Sequence, residues 1–480
     1  MSTVPVINAQ LDTIGGHTDE MAEALTMIAN KMGAFETPLT FSAIAYETQI
    51  GRIKRYLDAG DPANVNEGGS VSASIGDSTG ITAVTVTADT FMGVVYMVGT
   101  YEFTFDGAAW LFEGEAVTLS DFGLATTGTA AEGDHIIVHY TATSVTYDVS
   151  GIDEEVPVNP TKTHVLSLLR RNVHSLIPFD PPQFLYAVTA TDWPSGMPAG
   201  TYNIVLDHAA YDGSTTEDTT VQFTTTQTIP VGGGIMHSQI GAYRSTYAKA
   251  SMLAGKFTTY GTDRVTAIES NLDTTEGSGG TALGTTTAKD PQYKSGDAMN
   301  FSQRNMYGAA RWKTSFIRQW LNSWDKNFTF VPATIWSRPV ASITEGFIHT
   351  LEPEVRNVLI KVRKRYALDI ADGYGYEDVE DYVTLPTMLD VYGSQNNSIA
   401  EGPVTSGGTV TRTVAKSLFK NILTAQADKI KTLSGSARHW WLSSTSPSYA
   451  NSEWVVVTSG ALSDSSASYS YGAVPELHIG

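Results

Sequence analysis

The chain of 480 residues contains no cysteine. That absence excludes disulfides, thiolate zinc sites, iron–sulfur clusters and cysteine nucleophiles together. Packing or assembly must hold the chain instead. Positive charge is scarce in the first third: residues 1–160 carry 22 Asp and Glu against 4 Lys and Arg, a net of −18, whereas the remainder carries 28 against 26. So acidic a region repels phosphate backbones and predicts no nucleic-acid contact; a solvated face that keeps a crowded assembly soluble accounts for it. No run of about 18 apolar residues occurs, and MSTVPVINAQ at the start lacks a basic region followed by an apolar one. The sequence therefore predicts neither membrane insertion nor a signal peptide, and synthesis in a cytoplasm. Catalytic signatures are missing as well: there is no His-Glu-x-x-His, no Gly-x-Ser-x-Gly, no Walker loop and no dinucleotide fingerprint.

What is present favours strands. The chain has 43 glycines and many Thr, Ser, Val and Tyr, which suit short strands and turns. Its length predicts several domains. The fold class expected is α+β, β-rich and multidomain. Near the start, Ile7, Leu11, Ile14, Thr18, Met21, Leu25, Ile28 and Met32 alternate spacings of four and three, the seam of a coiled coil. Residues 1–34 are therefore a candidate helical oligomerisation segment, with three or four strands favoured over two. Gly15-Gly16 costs such a helix about 2 kcal/mol, and an amphipathic helix lying on the body of the protein is the alternative. A second helical stretch, SAIAYETQIGRIKRYLDAGD, follows. Alternation then sets in from ITAVTV to VTYDV, punctuated by Asp-Gly, Glu-Gly and Gly-Asp turns, which predicts a separate β module. Within it, His135 and His139 fall on one face of a strand and read as a half-exposed structural pair rather than metal ligands. VPVNPTKTH marks a boundary, and FLYAV, GTYNIVLDHAAY and TTVQFTTTQTIPVGGG predict a further strand group. TTEGSGGTALGTTTAKD, 274–290, lacks the Lys-Ser or Lys-Thr of a phosphate loop and reads as a loop ordered by a partner or not at all.

Residues 307–325 have the pattern of the clearest helix, with Trp312, Phe316, Trp320 and Trp324 every four residues as an apolar core face. Trp440 and Trp441 are further core candidates. EPEVRNVLIKVRKRYAL predicts a second helix carrying the one basic cluster, Arg356, Lys361, Arg363, Lys364 and Arg365, matched by helix polarity and an acidic neighbour. The acidic turn DIADGYGYEDVEDY has carboxylates enough for calcium but not the alternate-position spacing of the helical calcium loop. The expectation is no cofactor and no metal, with calcium left as the one open alternative.

Several segments, read in order, carry a resemblance: RWKTSFIRQWLNS, VPATIWSRP, GFIHTLEPEV, YVTLPTMLDVYG, SGSARHWWLSS and SYGAVPELHIG. They resemble a family of virion proteins of bacteriophages and prophages, with the pattern Ile-Arg-x-Trp-Leu-Asn-Ser, then Ala-Arg-x-Trp-Trp-Leu-Arg-Ser-Pro, then Gly-Val-Arg/Ala-Pro. Upstream, QIGRIKRYLDAGD, VTYDVSGIDEEVPVNPTKTH, IPFDPPQFLYAV and MPAGTYNIVL extend the likeness. It implies a C-type-lectin-like fold shared with formylglycine-generating enzymes and the variable proteins of diversity-generating retroelements. The implied organisation is a connecting α/β region at 35–75 and 145–185, an inserted β module at 76–144, and the lectin-like domain at 186–480 with long loops. Ser443 stands where the family has arginine, Thr445 where it has proline, and Gly472-Ala473-Val474-Pro475 lacks an arginine that some relatives carry.

Function follows from the resemblance as an expectation. The formylglycine branch depends on cysteine or metal, so an enzyme of that kind is not expected. The variable branch displays small polar and tyrosine side chains for binding. Ser446, Ser448, Tyr449, Asn451, Glu453, Asp464, Ser466, Ser468, Tyr469 and Tyr471 have that composition and are the candidate ligand contacts, since Tyr offers large amphipathic area at low entropy cost and Ser and Asn adapt their hydrogen bonds. The expected protein is a virion component (tail, fibre or head surface), a homotrimer or other homo-oligomer that contacts other virion proteins and a host-surface glycan or protein. A purely capsid-building or capsid-decorating subunit is the alternative.

Overall fold

Alternating apolar and small polar residues make two long strands, and these organise the first half of the computed structural model. Pro62–Ile75 pairs antiparallel with His135–Ile152, from Pro62 opposite Asp148 to Ile75 opposite Ile136. The register shifts between Glu67 and Ser70, where Gly68 has a φ of 67° that an L side chain adopts only with strain. The structure describes residues 59–206 except 95–97, 219–240, 304, and 307–480 except 334–336, 370–371, 373–374, 395 and 397–398, together with the short strand pieces 39–40, 250–252, 268–269 and 278–279. The expected stem at 1–34, including Ile7, Leu11, Ile14, Met21, Leu25, Ile28 and Met32, lies outside the described residues, as does most of the second helical stretch and of the 274–290 loop.

The described chain is β-rich with a few short helices. One sheet of nine strands runs through it, in the order Val383–Thr384, Glu476–Ile479, Leu166–Arg170, His135–Ile152, Gly99–Phe105, Trp110–Phe112, Glu115–Val117, with Pro62–Ile75 along the other side of His135–Ile152. The His135–Ile152 strand belongs to two bodies. Its first part, 135–140, pairs with Gly99–Phe105, and its last, 147–152, pairs with Leu166–Arg170. The division expected at 144–145 thus falls in mid-strand, and no linker separates the module on that side. Strand Glu476–Ile479, the last in the chain, sits inside the sheet between Val383–Thr384 and Leu166–Arg170.

Two apolar cores flank this shared strand. The module packs Phe91, Phe103, Phe122, Leu124, Ile136 and Val138, with Phe103 stacked on Phe112 at 4.9 Å and edge-on to Phe122 at 5.1 Å. The main body packs Trp312, Phe316, Trp320, Leu321, Phe347 and Trp441 with Leu166 and Leu168. Here the expected helix over 307–325 is corrected. Tyr307 is helical by itself at the start of the span. Trp312–Thr314 form a 3₁₀ turn, and Phe316–Leu321 form a separate α-helix. Ser315 separates them: its backbone is extended (φ −61°, ψ 150°) and its hydroxyl accepts the Arg318 N–H as an N-cap. Trp312, Phe316 and Trp320 are buried as expected, whereas Trp324 is 41% exposed, not core. The helix ends at Leu321, and beyond it the four-residue period no longer decides which face a side chain occupies.

The helix expected over 352–368 is also corrected. Only Pro353–Val358 is helical, and Val362–Ala367 is a strand. Its partner is the supposed acidic turn, now strand Gly375–Asp381, in a register that sets Arg363 opposite Glu380 and Arg365 opposite Asp378. Opposite charges on directly facing residues favour this pairing, and a helix would have placed those arginines around its circumference instead.

Candidate functional site

The closing tract folds as a five-stranded sheet in the order Leu176–Ile177, Tyr471–Gly472, Trp440–Thr445, Ser452–Val456, Leu462–Ser466. Alternation decides its interior: both faces of Trp440–Thr445 are covered, so all six residues are buried. The two tryptophans satisfy their indole N–H groups on backbone carbonyls, Trp440 on Lys429 at 3.1 Å and Trp441 on Ile177 at 2.9 Å. On this floor stands a ladder of rings. Tyr471 lies 5.0 Å from Trp441 and 4.9 Å from His439, and Tyr469 lies 5.8 Å from Tyr471. Trp441 is fully buried and Tyr469 is 47% exposed, so the ladder runs from the core to solvent. Ser465 donates to the Tyr471 hydroxyl at 3.2 Å, and the Ser468 N–H bonds the Tyr307 carbonyl at 2.7 Å. These contacts fix the loop that carries the rings.

Ser448 and Tyr449 are exposed at the tip of a turn closed by Ser446 N–H to Ser452 O at 2.8 Å and pinned by Ala310 N–H to Ala450 O at 2.9 Å. Asp464 is exposed, and Ser466, Ser468 and Tyr471 are partly buried. The structure therefore places Ser448, Tyr449, Asp464, Ser466, Ser468, Tyr469 and Tyr471 at or near the surface. Three candidates are corrected. Ser446, Asn451 and Glu453 are buried and face the interior. Asn451 reaches Ser466 Oγ at 3.4 Å, and Glu453 accepts from Thr445 at 3.1 Å. Their polarity serves the packing of the strands, because buried polar groups need partners and find them across the sheet. Ser443 is buried as well and donates to Leu385 O at 2.9 Å.

Beneath this sheet lies a system of charges that no local pattern revealed. Lys364 Nζ is 3.1 Å from Glu155, 3.3 Å from Asp390 and 3.3 Å from Glu476. Lys416 Nζ is 2.6 Å from both Glu155 and Glu476, and Arg412 bonds Asp390. Three cations thus face three carboxylates in the interior. Burial alone would raise the Asp390 carboxyl, but Lys364, Arg412 and Lys416 outweigh it and hold the group well below its ordinary range. Burial would equally discharge Lys364, and Asp390, Glu155 and Glu476 instead keep it charged. Such a network is stable only when complete, since a lone buried charge costs several kcal/mol. Ser167 and His478 hydrogen-bond at 3.1 Å, the residue types of a nucleophile and its base, but both are buried within the sheet, beyond the reach of a substrate. Burial holds His478 well below its usual value against the pull of Glu476.

The acidic run 369–381 is likewise taken up by arginines. Asp369 and Asp372 meet Arg304, Glu377 meets Arg311, Asp378 meets Arg365, Glu380 meets Arg363 and Asp381 meets Arg318. The carboxylates that suggested calcium are engaged without it, and among the described residues no group of His, Asp and Glu has a metal-holding arrangement. A second pair of buried acids lies behind the Tyr449 turn. Burial pushes Glu401 up to about 7 although Ala367 N–H, Ser444 and Asn396 all donate to it. Burial, together with Glu401, Asp369 and Asp180 nearby, pushes Glu453 well up. Among the described residues no helix is long and apolar enough to cross a membrane.

A family model for a domain of unknown function, DUF6273, matches residues 293–479. The match spans the helix Phe316–Leu321, the charged strand pair, the buried network's Lys364, Asp390, Arg412, Lys416 and Glu476, and the ring ladder. No curated protein and no solved structure matches the chain.

Proposed function

We propose that the chain is a structural protein of a phage virion that displays, through its C-terminal portion, a lectin-like domain for attachment to a host-surface glycan or protein. The observation that carries this reading is the ring ladder: Tyr469, Tyr471 and His439 in tilted and edge-on contact, reaching outward from buried Trp441. Rigid aromatic side chains backed by a core present contact area without losing much entropy on binding. The order of the segments from RWKTSFIRQWLNS to SYGAVPELHIG supports the virion assignment by resemblance. Self-association as a homotrimer or other homo-oligomer, and contact with other virion proteins, complete the reading, and no reaction is assigned to the chain.

Replacing Tyr449, Tyr469 and Tyr471 together by alanine is expected to abolish binding to host cells while the oligomer persists, as read by cell pull-down and solution mass. Unchanged binding removes the attachment role. The burial of Ser446, Asn451 and Glu453 favours a second reading, a capsid-building or capsid-decorating subunit whose domain only packs against neighbours. On that reading the triple variant still coats particles.

A further inference from the structure

Trp324 is the most exposed tryptophan among the described residues, at 41%; Trp110 and Trp454 are partly buried, and Trp193, Trp312, Trp320, Trp440 and Trp441 are fully or nearly fully buried. Its position is built rather than frayed. The preceding Asn322 accepts from the N–H groups of Tyr382 at 2.8 Å and Val383 at 3.1 Å and donates to Val383 O at 2.8 Å. On the other side, Gly346 N–H bonds Asp325 O at 2.9 Å. A side chain at Gly346 has no room, since its Cβ would lie 2.4 Å from Ser323 O. The indole is thereby held at a right angle to the Tyr382 ring, 5.3 Å away at 82°, and Lys361 Nζ stands 5.1 Å from that ring. Asp325 and Lys326 are exposed beside it.

We infer that this corner is a carbohydrate site, with the Trp324 face as its floor, the Tyr382 ring as its wall, and Asp325, Lys326 and Lys361 as its hydroxyl-binding rim. The chemistry selects the class. The apolar surface offered is one indole and part of one phenol, bordered at once by charged side chains, whereas a stable protein interface buries on the order of 1,200–2,000 Å² with an apolar centre. A pyranose ring matches the smaller area: its axial C–H face stacks on an aromatic ring, and its equatorial hydroxyls point outward to carboxylate and ammonium groups. Fixing the floor and wall before the ligand arrives removes part of the ordering cost that limits weak ligands. The site shares no residue with the Tyr469–Tyr471 ladder and does not depend on the attachment role proposed for it.

Saturation-transfer NMR of the full chain with the methyl pyranosides of glucose, galactose, mannose and N-acetylglucosamine tests the assignment. At least one sugar is expected to show saturation concentrated on the ring protons of one face. Trp324→Ala should weaken that sugar by about tenfold or more, a loss of about 1.4 kcal/mol, and Trp324→Phe should retain part of it. Tyr469→Ala/Tyr471→Ala should leave it unchanged. Because Trp324 lies outside the core, the thermal midpoint of Trp324→Ala should stay near that of the parent, which separates lost contact from lost fold. Failure of all four sugars to bind, or binding that survives Trp324→Ala, overturns the site. Binding lost only in the tyrosine variant overturns it too and locates carbohydrate recognition at the ladder.

Discussion

The β module and the C-terminal body hold themselves together without disulfides by different means. Residues 56–161 contain neither Lys nor Arg, so a carboxylate buried in the module has no cation of its own to meet. Asp134 accordingly accepts backbone N–H groups: Thr79 at 2.6 Å, Ile81 at 2.9 Å and Ala131 at 3.0 Å. These donors outweigh the desolvation and hold its carboxyl down to about 2. The rest of the module is an aromatic cluster. In the C-terminal body acids and bases are nearly equal in number, and the interior contains Lys364, Lys416 and Arg412 against Glu155, Asp390 and Glu476. Where cations are missing a buried carboxylate is left to amides; where they are present some carboxylates pair with them, as Glu155, Asp390 and Glu476 do, while Asp180 and Glu401 still rely on amide and hydroxyl donors.

The sharpest break of this contrast is Lys416→Met. Leaving Glu155 and Glu476 buried without their nearest cation is expected to cost about 3–5 kcal/mol, seen as a lower urea midpoint of the C-terminal body. In the module, Phe103→Ala removes the ring stacked on Phe112, with an expected loss of about 3–5 kcal/mol. Hydrogen exchange should show that loss in 81–140 and little of it near Lys416. Were both variants to loosen both regions equally, the two would form one cooperative unit through the shared strand His135–Ile152.

The pH responses should oppose one another. Glu401 and Asp180 are each pushed up by burial to about 7. A raised carboxyl stabilises most below its unfolded value, and that contribution is lost as pH rises through the folded value. Glu401 and Asp180 should therefore withdraw stability between about pH 4.5 and 7, against the gain over that range from His478, which burial keeps neutral, and Glu401→Gln should remove its part of the withdrawal in a series of thermal melts. Asp134 is shifted the other way, so its contribution is present above the ordinary Asp range and lost as pH falls toward about 2. Asp134→Asn should make the module less stable at neutral pH and remove that acid-side dependence. A module melt unchanged by Asp134→Asn would show that the turn at 79–81 is held by other contacts. This last is the smallest of the expected effects, because the asparagine carbonyl keeps an acceptor for the amide donors on one side of the carboxylate.

Strand-rich character, the aromatic core at Trp312, Phe316 and Trp320, and the burial of Trp440 and Trp441 were legible because period and residue type fix them locally. The two misjudged helices show where that legibility stops. Val362–Ala367 has the charge and length of a helical turn, but its register against Gly375–Asp381 pairs arginines with acids across the gap, a gain no single-segment pattern contains. The buried network was hidden for the same reason: Glu155, Lys364, Asp390, Lys416 and Glu476 are separated by up to 321 positions in the chain. Among the binding candidates, sequence could name the residue types but not separate outward Tyr449 and Tyr469, which lie in turns, from inward Asn451 and Glu453, because both faces of Ser452–Val456 are covered by remote segments.

By itself, then, the sequence determined the absence of disulfides, the acidic first third and the β-rich composition, since these depend on residue counts and local spacing alone. Only the tertiary structure decided which carboxylates meet arginine, which meet amides, and that Trp324 stands outside the core. Those outcomes depend on distances between remote segments, and Coulomb and packing energies are set by such distances rather than by order along the chain.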